Sequence, residues 1–211
     1  MAANYLDRAA GLFMSARYKP GNRRFGPGGY NDYGSYADRL REEFGYRCAY
    51  CMLRERMASS KSFFVVEHVV SQRQSPQLAL NYFNLAYACE ACNGIKSSRS
   101  LPIDIEDALM RKHFKLDSEG KFAHKTPDGQ IHIEFFNLNS RTKIEFRQAI
   151  LASCDALVEK EGLAGLRHFF GYPVDLPDLP KKRPPFNSNP DSIQTCDRVA
   201  KDKGSLPMLC R

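Results

Sequence analysis

The sequence predicts an α+β fold organised around a structural metal centre. Two CxxC pairs, Cys48–Cys51 and Cys89–Cys92, offer four thiolates. Between them lies a strand-like run, FFVVEHVV over Phe63 to Val70. Helix-patterned segments and a hairpin pattern flank both. At 211 residues, 43% hydrophobic and 11% aromatic, the chain can bury one good core with a small appendage, which excludes a disordered class. No apolar run approaches a membrane span. The N-terminal MAANYLDRAAGLFMSARYK lacks the basic-then-apolar order of a signal peptide, so a cytoplasmic location is expected. A net charge of +7 favours an anionic partner, nucleic acid first.

Residues 15–34 are rich in glycine, basic residues and aromatics, and fit either a surface loop or an arm that touches phosphates and stacks on bases. SYADRLREEF, Ser35 to Phe44, reads as a short helix leading into the first cysteine pair. Residues 62–70 form a strand by β-branched and aromatic enrichment, and Ser71 to Asn84 is loop-like. Cys89 to Arg99 is helical with a basic end. Asp104, Glu106 and Asp107 mark a helix start after Pro102, running to Phe114. Gly120 to Phe136 holds KFAHKT and QIHIEFF around Pro-Asp-Gly, a hairpin pattern. Ser140 to Glu161 is an amphipathic helix with Ile144, Ala149, Ile150, Leu151, Cys154, Leu157 and Val158 on one broad face, ended by Gly162. From Pro173 onward, seven of the twelve prolines suggest an extended surface course.

The paired cysteines predict a closed tetrahedral zinc site, each pair forming a knuckle whose two sulfurs face one ion. Iron in a rubredoxin-like site is the rival. Cys154, Cys196 and Cys210 stand alone, as buried or tail thiols. His113, His124, His132 and His168 have no catalytic company and read as structural or exposed. Arg23, Arg24, Arg73 and Arg99 fit either nucleic-acid contact or a solvated basic surface.

Laid out, the pattern is CAYC, then EH, then NL, then CEACNGIK. This resembles the four-cysteine branch of the HNH endonucleases over about Cys48 to Arg99. The resemblance implies a ββα-metal (His-Me finger) core in which zinc at Cys48, Cys51, Cys89 and Cys92 holds a hairpin to a helix. It implies that His68 is the general base, a task suited to a side chain that titrates near neutrality. It makes Glu67 and Asn93 ligands of a catalytic Mg²⁺ or Mn²⁺, Asn84 the residue that orients the base, and Lys96 a phosphate contact. Two departures stand out: Glu67 replaces the usual Asp, and Asn93 takes a position that is often His.

The expected organisation is an N-terminal arm and helix (1–47), the nuclease motif (48–100), a helix-and-hairpin extension (101–172) and a proline-rich tail (173–211). The expected function is metal-dependent hydrolysis of DNA phosphodiester bonds. A phage-defence or restriction-type setting is compatible with it, with a regulatory partner such as an ATPase docking on the tail. A plain wrap of the tail over its own domain fits as well. The alternative is a catalytically silent zinc module that binds nucleic acid or protein. Removing either polar group from the apolar strand, by His68→Ala or Glu67→Ala, is expected to leave the fold intact or slightly more stable.

Overall fold

A computed structural model describes residues 9–14, 23–58, 60–104, 112–166, 170–187 and 191–207. In chain order its elements are β1 (Pro27–Gly28), α1 (Ala37–Glu43), β2 (Phe64–His68), β3 (Leu85–Cys89), α2 (Glu90–Lys96), β4 (Phe114–Leu116), β5 (Phe122–His124), α3 (Pro127–Phe135), α4 (Arg141–Glu161), β6 (Phe186–Asn187), α5 (Asp191–Gln194) and α6 (Asp197–Asp202). Residues 9–14 are helical as well. The helix start expected after Pro102 falls largely on residues 105–111, outside the described residues, and Phe114 opens a strand.

β2 and β3 pair antiparallel, from Phe64↔Cys89 to His68↔Leu85, and α2 follows at once with Cys89 as its N-cap residue. This is the expected ββα unit. α1 packs against the hairpin, and the surprise lies in what it buries. Arg39, Leu40, Arg41, Glu42 and Glu43 are all inside. Buried charges are costly unless paired; Arg41, Glu42 and Glu43 have charged partners from distant parts of the chain, and Arg39 donates to the Tyr30 hydroxyl and the Lys182 carbonyl. Arg41 makes a two-pronged ion pair with Glu55, 2.7 Å on each arm. Glu42 meets Arg24 and the amide of Asp197, and Glu43 meets Arg23 and the hydroxyl of Tyr82.

The hairpin pattern at 120–136 resolves differently. β5 does form, but it pairs backward with β4, Phe114↔His124 to Leu116↔Phe122. Asp117 closes that turn by accepting from the amides of Glu119 and Lys121. Pro-Asp-Gly instead begins α3. Thr126 caps it by accepting from Gly129 N at 3.1 Å, Pro127 takes a first-turn position, and Asp128 complements the dipole. Gly129 is required by proximity, since a Cβ there would lie 2.1 Å from the carbonyl oxygen of His113.

α4 spans Arg141–Glu161 and stops at Gly162 with φ 63°. It buries Arg147, Ile150, Leu151 and Cys154, while Leu157 and Val158 are half-buried and Ala149 points outward. Arg147 was not anticipated. It donates to the carbonyls of Gly120 (2.6 Å) and Leu138 (2.7 Å) and stacks on Phe122, and burial lowers its pKa to about 10.

The segment after Pro173 is more than a surface strap. β6 pairs with β1, and Leu176, Leu179, Cys196 and Asp197 are buried in the common core. Asp175 receives Arg41 and Lys61, tying the segment to α1. No helix is long and apolar enough to cross a membrane among the described residues.

Candidate active site and metal centre

The two knuckles converge. The sulfurs of Cys48, Cys51, Cys89 and Cys92 all lie within 4.8 Å of one another, and none forms a disulfide. Tetrahedral zinc with bonds of about 2.3 Å requires sulfur–sulfur edges of about 3.8 Å, and Cys51 to Cys89 measures 3.7 Å. The first knuckle is shaped by Met52 at φ 64° and by an amide-to-sulfur contact from Tyr50 to Cys48 at 3.3 Å. Ala49 N donates to Tyr87 O at 2.8 Å, which fastens this knuckle to β3. Crowding the thiols pushes Cys51 and Cys92 well above the usual range, each chiefly through its contact with Cys48. Cys89, accepting from the other three, is held far below it. Four thiols gathered at this spacing are the closed donor set of structural zinc, so the residues fit that ion.

On β2, Glu67 faces Ala86 and His68 faces Leu85 across the hairpin. Adjacent strand residues point to opposite faces, and here they divide into two environments. Glu67 is buried at 3% exposure. Its Oε1 pairs with Lys96 Nζ at 2.7 Å, and its Oε2 accepts from the hydroxyl of Tyr50. Burial pushes its pKa up, opposed by Lys96 and Tyr50. Both oxygens are therefore committed inside the protein.

His68 is half-buried and looks outward. Its Nε2 lies 3.0 Å from Ala79 O. A carbonyl oxygen can only accept, so Nε2 carries a proton, and in the neutral ring Nδ1 then keeps its lone pair. The Gln72 amide is also 3.0 Å from Nε2, which is consistent once that amide turns its oxygen toward the ring. Tyr33 packs edge-on against the imidazole, with ring centres 4.8 Å apart.

Asn84, expected to orient the base, bonds to the backbone of the loop that follows His68. Its Oδ1 accepts from Val70 N (2.8 Å), and its Nδ2 donates to Val70 O (3.0 Å) and Leu78 O (3.2 Å). Its own carbonyl takes Val69 N at 2.9 Å. The loop after His68 is thus closed on itself, with Ala79 O set against the ring. Arg23 supports the same corner by donating to Tyr82 O (2.9 Å) and Leu85 O (3.0 Å).

Asn93 sits half-buried on α2, and its side chain makes no hydrogen bond among the described residues. Lys96, expected as a phosphate contact, lies inside the protein. It is 0% exposed, and besides Glu67 it donates to His68 O at 2.8 Å. Glu67, expected as a metal ligand with Asn93, has both oxygens engaged by neighbouring side chains. An ammonium meets one carboxylate oxygen and a phenol the other.

The arginine readings also divide. Arg23 and Arg24 serve internal ion pairs rather than a free basic arm. Arg99 lies over the ring of Phe135, its carbon 4.2 Å from the centroid, and Arg73 is exposed. His113 and His132 are buried and His124 is exposed, while His168 and Cys210 fall outside the described residues. Residues 15–22 of the proposed arm fall outside them as well. The residue that sequence reasoning missed is Tyr50. Its place inside CAYC was visible, but its bond to Glu67 was not.

Residues 48–99 match the family model described as HNH endonuclease. The four clustered cysteines fit the zinc-binding type. No curated protein matches the chain.

Proposed function

We propose that this chain, whose residues 48–99 form an HNH-family segment of the four-cysteine kind, hydrolyses phosphodiester bonds in DNA. One observation carries the reading: Nε2 of His68 is fixed on Ala79 O at 3.0 Å, which leaves Nδ1 of a half-exposed ring as the proton acceptor. A water on that nitrogen loses its proton as it attacks phosphorus. Asn84 keeps the loop and ring in that pose, and the net charge of +7 favours approach of the polyanion. A hard cation such as Mg²⁺ or Mn²⁺ would supply charge stabilisation at the leaving oxygen. Of the two expected ligands only Asn93 remains uncommitted, so no step is assigned through the metal. A phage-defence or restriction-type role under a partner protein is compatible with this chemistry. Exposed Val174 and Phe186, both in the C-terminal segment, are apolar groups such a partner could meet.

A second reading is favoured by a specific observation. Because Glu67 is withheld by Lys96 and Tyr50, a zinc module that binds nucleic acid without cutting it is the rival. Nicking of supercoiled plasmid with Mg²⁺, Mn²⁺ or EDTA separates the two. Wild type should nick in a metal-dependent way, and His68→Ala should lose about a hundredfold or more while keeping zinc and DNA binding. Metal-dependent nicking unchanged in His68→Ala would defeat the nuclease assignment to this site.

A further inference from the structure

We infer that Tyr50, Glu67 and Lys96 form a buried relay that ties both zinc knuckles to the backbone of His68, so that the pose of the base depends on zinc. The chain of contacts is continuous. Tyr50 stands between the cysteines of the first knuckle, and its hydroxyl donates to Glu67 Oε2. Glu67 Oε1 meets Lys96 Nζ at 2.7 Å. Lys96 closes α2, the helix that begins in the second knuckle, and its ammonium donates to His68 O at 2.8 Å.

Each link is protected from water. Glu67 and Lys96 side chains are 2% and 0% exposed, and Tyr50 is 0% exposed. Tyr50 is also clamped from behind. Phe136 stacks on its ring at 4.7 Å, and His132 Nε2 donates to its carbonyl at 3.0 Å. Such a buried set holds its geometry firmly because any broken link strands a polar group.

The two ends of the relay are brought into register by the same four sulfurs. An ion held by those sulfurs would join the knuckle that carries Tyr50 to the helix that carries Lys96, and Glu67 spans the two. His68 is then held twice: its carbonyl by Lys96, its ring by Ala79. Glu67 is a positioning residue here, as are Tyr50 and Lys96. This also explains why the chain carries Glu and not a shorter acid, since the carboxylate must reach across to both partners.

The kinetic arm of the test rests on the nuclease reading, and a spectroscopic arm does not. Full-length, zinc-loaded Tyr50→Phe is compared with wild type and with the charge-neutral pair Glu67→Gln/Lys96→Met, which covers the case where a single charge removal unfolds the protein. On supercoiled plasmid, Tyr50→Phe should lower kcat about tenfold and the neutral pair about a hundredfold, with KM within twofold and one zinc per chain retained. Adding Tyr50→Phe to the neutral pair should cost nothing further, because the relay is already open. In ¹⁵N-histidine spectra, with His68→Ala assigning the signal, wild-type His68 should hold its proton on Nε2, and each relay variant should shift or mix that tautomer.

An unchanged His68 signal in both relay variants overturns the proposal, whatever the kinetics. A drop in kcat without a change at His68 does the same, because the loss then arises elsewhere. If wild type does not nick DNA at all, the nuclease reading fails, and the spectra alone decide the relay.

Discussion

Glu67 and Lys96 illustrate how much a single contact changes an energetic expectation. From the sequence, an acid inside FFVVEHVV looked like a burden on folding, to be relieved by its removal. In the structure its charge is matched at 2.7 Å by an ammonium that is itself 0% exposed. Removing one member of a buried pair leaves the other uncompensated, at a cost of about 3–5 kcal/mol. Glu67→Gln and Lys96→Met should each lower stability by that order in denaturant titration. The double replacement should recover most of the loss, because neither charge is then stranded. Equal destabilisation by singles and double would show that volume, not charge pairing, sets the cost. The identity of Glu67 and His68 as the motif's centre was legible from residue type and spacing. Their division into an inward and an outward role was not, because it depends on Tyr50 and Lys96, 17 and 29 positions from Glu67.

At the scale of elements, local signals worked where one cause dominated. β2 is dense in β-branched and aromatic residues, and α4 carries a helical apolar stripe ended by Gly162. Both appear within two residues of their expected limits. The failure at 120–136 has a definite source. Pro-Asp-Gly serves a hairpin turn or a helix start equally well, and QIHIEFF alternates just enough to suggest a strand. Thr126 decides the matter by accepting from Gly129 N. Thr126 also meets His113 Nδ1 at 2.8 Å, so its hydroxyl joins α3 to the residue before β4. Thr126→Ala should therefore cost about 1–2 kcal/mol, while Thr126→Ser should be nearly silent. A Thr126→Ser loss as large as that of alanine would assign the cost to the methyl group instead of the cap. The charged stretch ADRLREE was misleading in another way. Its helix was legible, but its buried face was not, since its partners Arg23, Arg24, Glu55, Asp175 and Asp197 come from three separate parts of the chain.

For the whole molecule, those buried groups set how stability varies with acidity. Glu42 and His132 are both inside, on different elements, and burial acts on them in opposite senses. Burial first, then the nearby Asp197, raises Glu42 to about 7, and its Oε2 has no hydrogen-bond partner. Burial lowers His132 to about 4. An acid raised in the folded state contributes stability at low pH that is lost as pH rises from its unfolded value near 4.5 through about 7. A histidine lowered in the folded state acts the other way, and stability is lost as pH falls from 6.5 toward about 4. At roughly 1.4 kcal/mol per unit, each effect is on the order of 3 kcal/mol, and they oppose each other over the shared window. The joint contribution of these two groups should therefore be nearly level between about pH 4.5 and 6.5. Glu42→Gln keeps an oxygen for Arg24 and for Asp197 N but cannot ionise, so only the histidine effect remains and stability should fall on acidification. His132→Gln should do the reverse and gain stability as pH drops. Urea midpoints measured at half-unit steps would reveal the two slopes. If both variants follow the wild-type profile, neither buried group titrates in this range.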